Sequence, residues 1–564
     1  MAVGSWLQGF FTGFKMENTR KERIRQLTLD LVRVQSDTGT RLEIDVENFL
    51  QAWMGELAYF KSHPDYFGLH PLPQDPLNRS VVWGLVKGQG DQTVILLHHH
   101  DVVDAFDYGS LEKRAYDPPA LQSSLPEMAL SREVRQDLES GQWLFGRGTG
   151  DMKGGAAIQL VLLAEYAARP HCKGNILLLS VPDEESLSAG MRGSLQLLLD
   201  LKTRFKLNYR SMINSEPHGR VQDNCGTFYV GSAGKILPVV YVRGKKTHIG
   251  HIYQGFNPLL LLSEIVLQTE LNTDFADLVR GEVAPPPAWS YLRDRKEVYD
   301  ASIPPSAGGY LSLIHLKSTP VELIQKLKTS CEAAFDRVIE RIQQSHAAYS
   351  RKKNEYEPAP SWAVKVKTFA ELYRQAVSDA GRSFQEAYEA FLPSIVSNVE
   401  QQRLTMPEAT FQIIEMTLKH IKDLSPMVVI ALCPPYYPPI HNDDFIVRPA
   451  FIKKLADHLI RFADKRWQEV YRTTYMMGIT DLSYAALQNR ENIEPYIGPN
   501  MPLWQKTYDI PFAEMQALSI PVINIGPWGK DHHKFTERVY EIDLYERTPA
   551  LLKCAVDFLL ETDA

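Results

Sequence analysis

Cysteine is scarce and scattered in this chain. Of 564 residues, five are Cys, at positions 172, 225, 331, 433 and 554, and no two of them form a Cys-x-x-Cys pair. This pattern excludes a disulfide framework and predicts free thiols in a cytoplasmic protein. It also excludes a cysteine-ligated zinc site, so zinc would have to be held by His and carboxylate side chains.

Long apolar runs and an excess of positive charge are missing too. No apolar run approaches about 20 residues, so we expect no transmembrane helix. The apolar residues 5–11 lack a basic start and a cleavage site, so they are not interpreted as a signal peptide. A helical turn or a mobile tail is a simpler interpretation of these residues than a membrane anchor. The net charge of −7 argues against a general nucleic-acid binder.

The length and the apolar pattern predict a multidomain α/β protein. A chain of 564 residues exceeds what one hydrophobic core usually organises. Short apolar runs at 94–97 and 176–179 are typical of strands buried on both faces of a mostly parallel sheet, with a helix at 156–168 between them. Ligands of such sheets gather at the carboxyl ends of the strands.

A change of character near residue 233 predicts a second domain. Strand and helix patterns follow it, at residues 236–242, 258–268, 309–316 and 321–343. We expect an inserted α+β lid or dimerisation domain at 233–368. The catalytic domain would combine residues 1–232 and 369–564, and the long helical stretch at 370–480 would belong to it.

A His-x-Asp pair follows the first apolar run. Side chains alternate along a strand, so His99 and Asp101 should face one way while His98 and His100 face the other. An imidazole binds metal, and a carboxylate beside it can orient a ligand. Taken alone, the histidine run is also compatible with a solvated loop or a packed core pair.

A glycine-rich segment at 146–155 precedes the predicted helix. Its glycines permit tight turns, and Asp151 would lie at the strand-to-helix corner, where its two oxygens could bridge two cations. A phosphate-binding loop is the alternative. The spacing is not Gly-x-x-x-x-Gly-Lys-Ser/Thr, which disfavours that alternative.

Acidic residues follow two further apolar stretches. Three adjacent acids at 183–185 repel one another unless cations neutralise them. The simplest assignment makes Glu185 a metal ligand and leaves Glu184 to accept a proton; an acidic surface turn is the alternative. Glu216 is a candidate terminal ligand, and one of His532 and His533 is a further ligand that the pattern alone does not choose.

Together these motifs resemble the dinuclear zinc aminoacylase and carboxypeptidase family, which includes acetylornithine deacetylase, succinyl-diaminopimelate desuccinylase and peptidase T. The pattern His-x-Asp-Val-Val matches residues 99–103, Gly-Arg-Gly-Thr-x-Asp-Met-Lys-Gly-Gly matches 146–155, and Asp-Glu-Glu matches 183–185. The family's terminal His, followed four residues later by Glu, matches His533 and Glu537. The resemblance implies a zinc-exopeptidase-like catalytic domain with an inserted lid.

The resemblance also implies a metal-ligand set. One metal would be held by His99, Asp151 and Glu216, and the other by Asp151, Glu185 and His533. Two zinc ions are expected, although cobalt and manganese suit the same ligands.

The resemblance further implies the reaction. Metal-bound water, deprotonated by Glu184 and with Asp101 as the orienting acid, would attack an amide carbonyl. The substrate would be an N-acyl amino acid or a short peptide. Likeness to a long arginine-utilisation member of the family implies arginine or ornithine catabolism.

The inserted domain extends the resemblance. Residues 244–250 and 255–257 are similar to the lid segment of the family, in which a His reaches the substrate carbonyl, commonly across a dimer interface. His248 would therefore stabilise the oxyanion, Asn257 would contact substrate, and the protein would be a homodimer. An ordinary lid histidine is the alternative for His248.

Three departures from the family pattern concern the substrate. Asp104 stands where many relatives have Pro, Gly150 stands where many have Ser, and the strand at 309–316 lacks the Arg that often grips a substrate carboxylate. Recognition of an α-carboxylate is therefore not carried over. An aminopeptidase or dipeptidase on the same site, and a non-catalytic metal-binding protein, are the alternative functions.

Overall fold

The computed structural model describes residues 19–169, 172–220, 225–354, 358, 361–445, 450–467 and 469–562. Residues 5–11, where we expected a helical turn or a tail, lie outside these ranges. In the described residues the strands are β1 Phe67–Pro71, β2 Ser80–Val86, β3 Gln89–His99, β4 Trp143–Phe145, β5 Lys173–Val181, β6 Asn208–Asn214, β7 Gly226–Tyr229, β8 Gly231–Ser232, β9 Gly234–Arg243, β10 Leu278–Val279, β11 Glu282–Val283, β12 Ala288–Asp294, β13 Ser306–His315, β14 Val366–Thr368, β15 Met427–Tyr437, β16 Ile440–His441, β17 Val470–Thr473, β18 Val522–Asn524, β19 Gly529–Lys530 and β20 Arg538–Tyr540.

The α-helices of the same ranges complete the inventory. They are α1 Arg20–Arg33, α2 Glu43–Glu56, α3 Ala58–Ser62, α4 Pro118–Ser124, α5 Arg132–Ser140, α6 Lys153–Ala167, α7 Ala189–Phe205, α8 Pro258–Thr269, α9 Pro320–Lys353, α10 Phe369–Ala380, α11 Arg382–Glu400, α12 Met406–Leu418, α13 Ala450–Asp464, α14 Arg490–Asn500, α15 Phe512–Leu518 and α16 Thr548–Glu561. In the part of the chain that the structure describes, none of these helices has the length and apolar character needed to span a bilayer.

The chain divides into two compact units. The first contains the described residues of Met1–Ser232, Ile440–Gln488 and Pro511–Ala564, and the second contains Ala233–Pro439 and Asn489–Ile510. The chain therefore leaves the first unit after Ser232 and passes between the units more than once.

An eight-stranded sheet organises the first unit, in the order β1-β2-β5-β3-β6-β18-β7-β17. β3 pairs in parallel with β5 and β6, and β18 pairs in parallel with β6, while β1 and β2 add antiparallel pairs at one side. Every residue of β3 from Thr93 to His99 is buried. The predicted α/β fold with a mostly parallel sheet is confirmed, because burial on both faces requires the continuous apolar runs seen in the sequence.

Helices α1, α2, α6, α13 and α16 share one hydrophobic core with the sheet. α1 begins at a capping box, in which the Thr19 hydroxyl accepts from the Glu22 backbone N–H and the Glu22 carboxylate accepts from the Thr19 backbone N–H. α6 is buried along nearly its whole length, as expected of a helix that follows the glycine-rich segment and packs against β3 and β5.

The second unit is built on a five-stranded sheet in the order β12-β13-β9-β15-β14. β9, β13 and β15 are antiparallel neighbours, and the short β14 pairs in parallel with β15. A core of buried residues from α10, α11 and α12 lies against β9 and β15. Strands combined with helices in this way match the expected α+β character of the inserted domain.

The boundary expected at residue 369 is not where the chain returns to the first unit. The structure keeps residues 369–439 in the second unit, together with Asn489–Ile510. β15 is the reason, since Val428 pairs with Val242 and Val429 with Tyr241 of β9, nearly two hundred positions earlier in the chain. A pairing over that sequence distance leaves no local pattern by which the boundary could be placed.

The close approach of α6 to the end of β6 generates the first prediction. An added Cβ at Gly155 would lie 2.2 Å from the Ser215 carbonyl oxygen, which belongs to backbone. We expect Gly155→Ala to destabilise the fold by about 1–3 kcal/mol, as overpacking of a core does. Thermal unfolding checks this, with Gly219→Ala as control because no described residue lies within 4 Å of its added Cβ. Equal melting temperatures for the two variants would contradict the close packing.

Candidate metal centre

The candidate residues of the first unit meet at one edge of its sheet. His99 is the last residue of β3, residues 183–185 follow β5, and Glu216 follows β6. His99 pairs with Val181 of β5, and Leu97 pairs with Asn214 of β6, so the three strands end at a common level. Parallel strands deliver their carboxyl ends to the same edge, where α/β proteins hold ligands.

His99 lies at the centre of the first group. Its Nε2 is 3.1 Å from Asp151 Oδ1 and 3.3 Å from Glu216 Oε1. Its Nδ1 lies 2.9 Å from the backbone oxygen of Asp101, which as the acceptor requires the proton on Nδ1. Nε2 is thereby left as the nitrogen available to a metal.

Asp151 divides its two oxygens between two histidines. Oδ1 faces His99, whereas Oδ2 lies 3.5 Å from His533 Nε2. The same His533 nitrogen is 3.0 Å from Glu185 Oε2. Asp151 therefore stands between a His99–Glu216 side and a His533–Glu185 side, the arrangement that a carboxylate bridging two cations requires.

The structure also separates the two adjacent histidines near the C-terminus. His533 has a left-handed φ of 62° and directs Nε2 to the two carboxylates. His532 turns toward the backbone of Gly150 and Gly529, and its buried Nε2 has no hydrogen-bond partner among the described residues. The alternation of side chains expected along residues 98–101 is present. His98 contacts Gln159 and His100 contacts Ser180, away from the side chains that surround His99.

Asp101 anchors the backbone of the acidic pair. Its Oδ1 accepts from the Glu184 N–H at 3.1 Å, and its Oδ2 accepts from the Glu185 N–H at 3.2 Å. Oδ1 also lies 3.5 Å from His99 Nδ1. One fully buried carboxylate thus fixes a histidine and both acids of the next loop.

Two overlapping sets of side chains could each hold a cation. His99, Glu184 and Glu216 form one, and His99, Asp151 and Glu185 form the other; in each, one ligand atom per residue lies within 4.8 Å of the others. Imidazole nitrogens and carboxylate oxygens without thiolates are a donor set that suits zinc, cobalt or manganese. The residues therefore fit a pair of divalent metal ions.

The carboxyl groups of the site are buried close together. Burial and the neighbouring Asp151 raise the pKa of Glu216 to about 8 and that of Glu185 to about 7. Burial also raises the pKa of Glu184 well above its ordinary value, with Glu216 and Asp481 adding to the effect. Hydrogen bonds to Asp151 and Glu185 raise the pKa of His533 to about 10. Without a cation, protons must stabilise this cluster; divalent ions would replace them.

Asp183, the first of the three acids, is not part of this cluster. Its Oδ1 lies 2.8 Å from the Arg79 guanidinium, which also binds Glu43 at 2.8 Å. Burial and the charge of Asp101 raise the pKa of Glu43 to about 9. Sequence reasoning missed Arg79 and Glu43, because neither lies in a motif.

Glu537 and Arg147 support the backbone around Asp151, the candidate bridging ligand. Glu537 Oε1 accepts from the backbone N–H groups of Gly150 and Asp151 at 3.1 and 3.2 Å. Its Oε2 lies 2.8 Å from Arg147, and both side chains are buried. Glu537 and Arg147 stand in the matched motifs, so the pattern held a signal for them, although their task as supports did not follow from it.

Asp481 is a further residue that sequence reasoning missed. It is 1% exposed. Burial raises its pKa to about 7.

The two lid candidates lie in the second unit. His248 precedes the short 3-10 helix Ile249–Gln254, and its Nδ1 accepts from the Gly250 N–H at 3.1 Å. Asn257 caps α8, with its Oδ1 accepting from the Leu259 N–H at 3.0 Å. The oxygen of Asn257 is thus committed to capping the N-terminus of α8, a task that the sequence interpretation did not include.

The raised pKa values predict how the metal-free protein responds to pH. The carboxyl groups of Glu216 and Glu185 bind protons more tightly in the folded state than in the unfolded state. Their contribution to stability is therefore lost as pH rises from about 4.5, the unfolded pKa, toward the folded-state pKa values of about 8 and about 7. The contribution of His533 to stability is likewise lost as pH rises above about 6.5, because its folded-state pKa is raised to about 10. We expect the melting temperature of chelator-treated protein to fall between pH 5.5 and 8, and zinc to restore more stability at pH 8 than at pH 5.5.

Thermal unfolding with and without zinc at the two pH values measures this. Glu216→Gln should flatten the pH dependence of the chelated protein, since it removes one of the responsible carboxyls. A melting temperature that rises over this range, or a zinc effect independent of pH, would contradict the assignment.

Comparison with known proteins agrees with this geometry. The pattern of Peptidase family M20/M25/M40 matches residues 124–555. The chain is 35% identical to the uncharacterized protein YqjN of Bacillus subtilis over 96% of this chain and 97% of that protein. It is 30% identical to protein RocB of the same organism, over 96% and 95% of the two chains.

Two further similarities are narrower: one covers part of the chain, and the other concerns the fold alone. A succinyl-diaminopimelate desuccinylase of Leptothrix cholodnii is 29% identical over 35% of this chain and 46% of that protein. The crystal structure of a tripeptidase from Staphylococcus aureus has the same fold, with a TM-score of 0.50 at 12% identity over 96% of this chain and 98% of that one. The chain belongs to Peptidase family M20/M25/M40 and is a metal-dependent hydrolase of C–N bonds.

Proposed function

We propose that the protein is a two-metal amidohydrolase that cleaves the amide bond of an N-acyl amino acid. The observation that carries the proposal is the position of Asp151, whose oxygens face His99 on one side and His533 on the other. Each side adds a carboxylate of its own, Glu216 or Glu185. A shared carboxylate between two such groups is what a metal pair acting on one amide needs.

The proposed ligands follow from these contacts. His99, Asp151 and Glu216 would hold one ion, and Asp151, Glu185 and His533 would hold the other. Zinc is the proposed metal, with cobalt and manganese as substitutes. When bound, the pair would acidify the attacking water and polarise the scissile carbonyl.

Glu184 is the proposed general base. Its backbone is held by Asp101, and its side chain lies beside His99 and Glu216. The two ligand sets proposed above are complete without it. Glu184 would take the proton of the attacking water and then deliver it to the leaving amine. Asp101 serves as the orienting acid for His99 and for the loop of Glu184.

The second unit would supply the remaining group. By resemblance to the lid of related enzymes, His248 would donate to the oxyanion of the substrate, from the partner subunit of a homodimer. Asn257 would contact the substrate through its amide nitrogen, because its oxygen caps α8.

The substrate proposed first is an N-acyl derivative of arginine or ornithine, processed in amino-acid catabolism in the cytoplasm. Similarity to RocB over nearly the whole chain supports the arginine connection, and the partial match to a desuccinylase supports an acyl group. Five free cysteines suit a reducing compartment.

Dipeptide cleavage at the same site is the second candidate. It requires an acidic group for a free α-ammonium, and Asp481 is a buried carboxylate whose charge contributes to raising the pKa of Glu184. A non-catalytic metal-binding protein is the third, and the retention of Glu184 beside a complete ligand set disfavours it.

Glu184→Gln distinguishes catalysis from metal binding. We expect this variant to keep two metal ions and to lose about 10²–10⁴-fold in kcat, the usual contribution of a general base. Amine release from N-acetyl, N-formyl and N-succinyl arginine, ornithine and citrulline, and from dipeptides, measures it on zinc-, cobalt- or manganese-loaded protein. Glu216→Gln is the matched comparison, because it should lower metal content as well. Equal turnover by wild type and Glu184→Gln would refute the base assignment.

A mixing experiment tests the role of His248. If His248 acts on the partner's metal centre, His248→Ala and Glu184→Gln proteins are each inactive, yet exchange of their subunits yields dimers with one intact site. We expect about a quarter of wild-type activity from an equimolar mixture, since half of the dimers are mixed and each has one competent site. Absence of recovery after verified subunit exchange would contradict action across the dimer.

A further inference from the structure

The loop that carries Glu184 and Glu185 turns on an unusual backbone. Asp183 has a left-handed φ of 70°, which is uncommon for a residue other than Gly and is strained unless neighbours hold it. Its carbonyl accepts from the Leu187 and Ser188 N–H groups at 3.2 and 2.6 Å. Its Oδ2 accepts from the Ala189 N–H at 3.1 Å, at the start of α7.

Arg79 and Glu43 hold this turn from behind. Arg79 lies 2.8 Å from Asp183 Oδ1, and Glu43 Oε2 accepts from the Asp183 backbone N–H at 2.9 Å. The same guanidinium binds Glu43 Oε1 and Asp75 Oδ1, each at 2.8 Å. The Arg79 side chain is 6% exposed and that of Glu43 is fully buried, so little solvent screens these contacts.

The acidic pair is therefore clamped on both sides. Asp101 binds the N–H groups of Glu184 and Glu185, while Arg79 and Glu43 fix the residue immediately before them. The contacts with Asp101 set the distance of the loop from His99. The contacts with Arg79 and Glu43 set the direction in which the chain enters it.

We propose that Arg79, oriented by Glu43, is a positioning residue that holds the Asp183 turn so that Glu185 faces the metal pair and Glu184 faces the attacking water. The proposal rests on the proposed function for the tasks of Glu184 and Glu185. It assigns a task in the metal centre to the N-terminal part of the chain, through α2 and the residues before β2.

Lysine cannot replace this arginine. The planar guanidinium reaches Glu43 and Asp183 with Nη1 and Asp75 with Nε and Nη2. An ammonium group is instead one point charge at the end of a flexible chain. Arg79→Lys keeps the buried positive charge but loses the forked contact with Asp75, which fixes the guanidinium plane so that Nη1 lies between Glu43 and Asp183. Partners that orient metal ligands typically contribute about 10–100-fold to metal affinity or activity.

Cobalt titration of chelator-treated protein, followed by visible absorption, tests the proposal without a substrate. We expect Arg79→Lys to bind one of two Co²⁺ ions about 10–100-fold more weakly than wild type and to alter the absorption bands. Arg295→Lys is the matched control, because Arg295 is a 9%-exposed guanidinium that binds Glu408 and Glu415 at 2.6 and 2.8 Å in the second unit. It should bind Co²⁺ as wild type does.

The kinetic readout separates positioning from general destabilisation. On an amide that the wild type hydrolyses, Arg79→Lys should lower kcat with KM nearly unchanged, and Arg295→Lys should change neither. Should Arg79→Lys fail to fold, Glu43→Gln takes its place, since an amide cannot accept from Asp183, Arg79 and Gly39 at once.

Wild-type Co²⁺ affinity and kcat in Arg79→Lys, or in Glu43→Gln where that variant takes its place, overturn the proposal. An equal loss in Arg295→Lys overturns it as well. A wild type that fails to bind two Co²⁺ ions would instead refute the proposed function.

Discussion

Repulsion among buried carboxylates is the constraint on which the site depends. Asp151, Glu184, Glu185 and Glu216 meet with two imidazoles at the edge of one sheet, and burial raises the pKa of three of these acids. Such a cluster is stable when protons or cations neutralise it. A pair of divalent ions supplies more charge than the two histidines can, and the orientation of the carboxylate oxygens toward shared points is what metal ligation requires.

The sheet makes that convergence available, and a second set of residues gives it direction. β3, β5 and β6 end side by side, which brings three loops together irrespective of their side chains. The loops are then fixed by contacts that sequence motifs do not reveal. Asp101 holds the acidic pair, Glu537 holds the backbone of Asp151, and Arg79 holds Asp183. Each of these supports is a buried charge paired with a backbone or side-chain partner, so each is specific in geometry.

Sequence reasoning succeeded where chemistry is local. Apolar runs without alternation predicted strands buried on both faces, and the structure buries β3 from Thr93 to His99. Reasoning failed at the boundary near residue 369, because β15 joins β9 across a long stretch of chain. It was also incomplete for the acids at 183–185, since the cation beside Asp183 comes from Arg79, more than a hundred residues away.

The sequence by itself determined the α/β fold class, the family and the list of candidate metal-binding side chains, because motif spacing and apolar periodicity are local properties of the chain. The residue pattern alone left His532 and His533 as equals, and only the family resemblance favoured His533. Tertiary structure decided between their positions, since the left-handed backbone at His533 directs Nε2 to Asp151 and Glu185 while His532 packs on glycines. Tertiary structure also decided which carboxylate each buried arginine binds, as Arg79 binds Asp183 and Arg147 binds Glu537. These outcomes depend on contacts between distant segments, and only the folded chain brings such segments within hydrogen-bond distance.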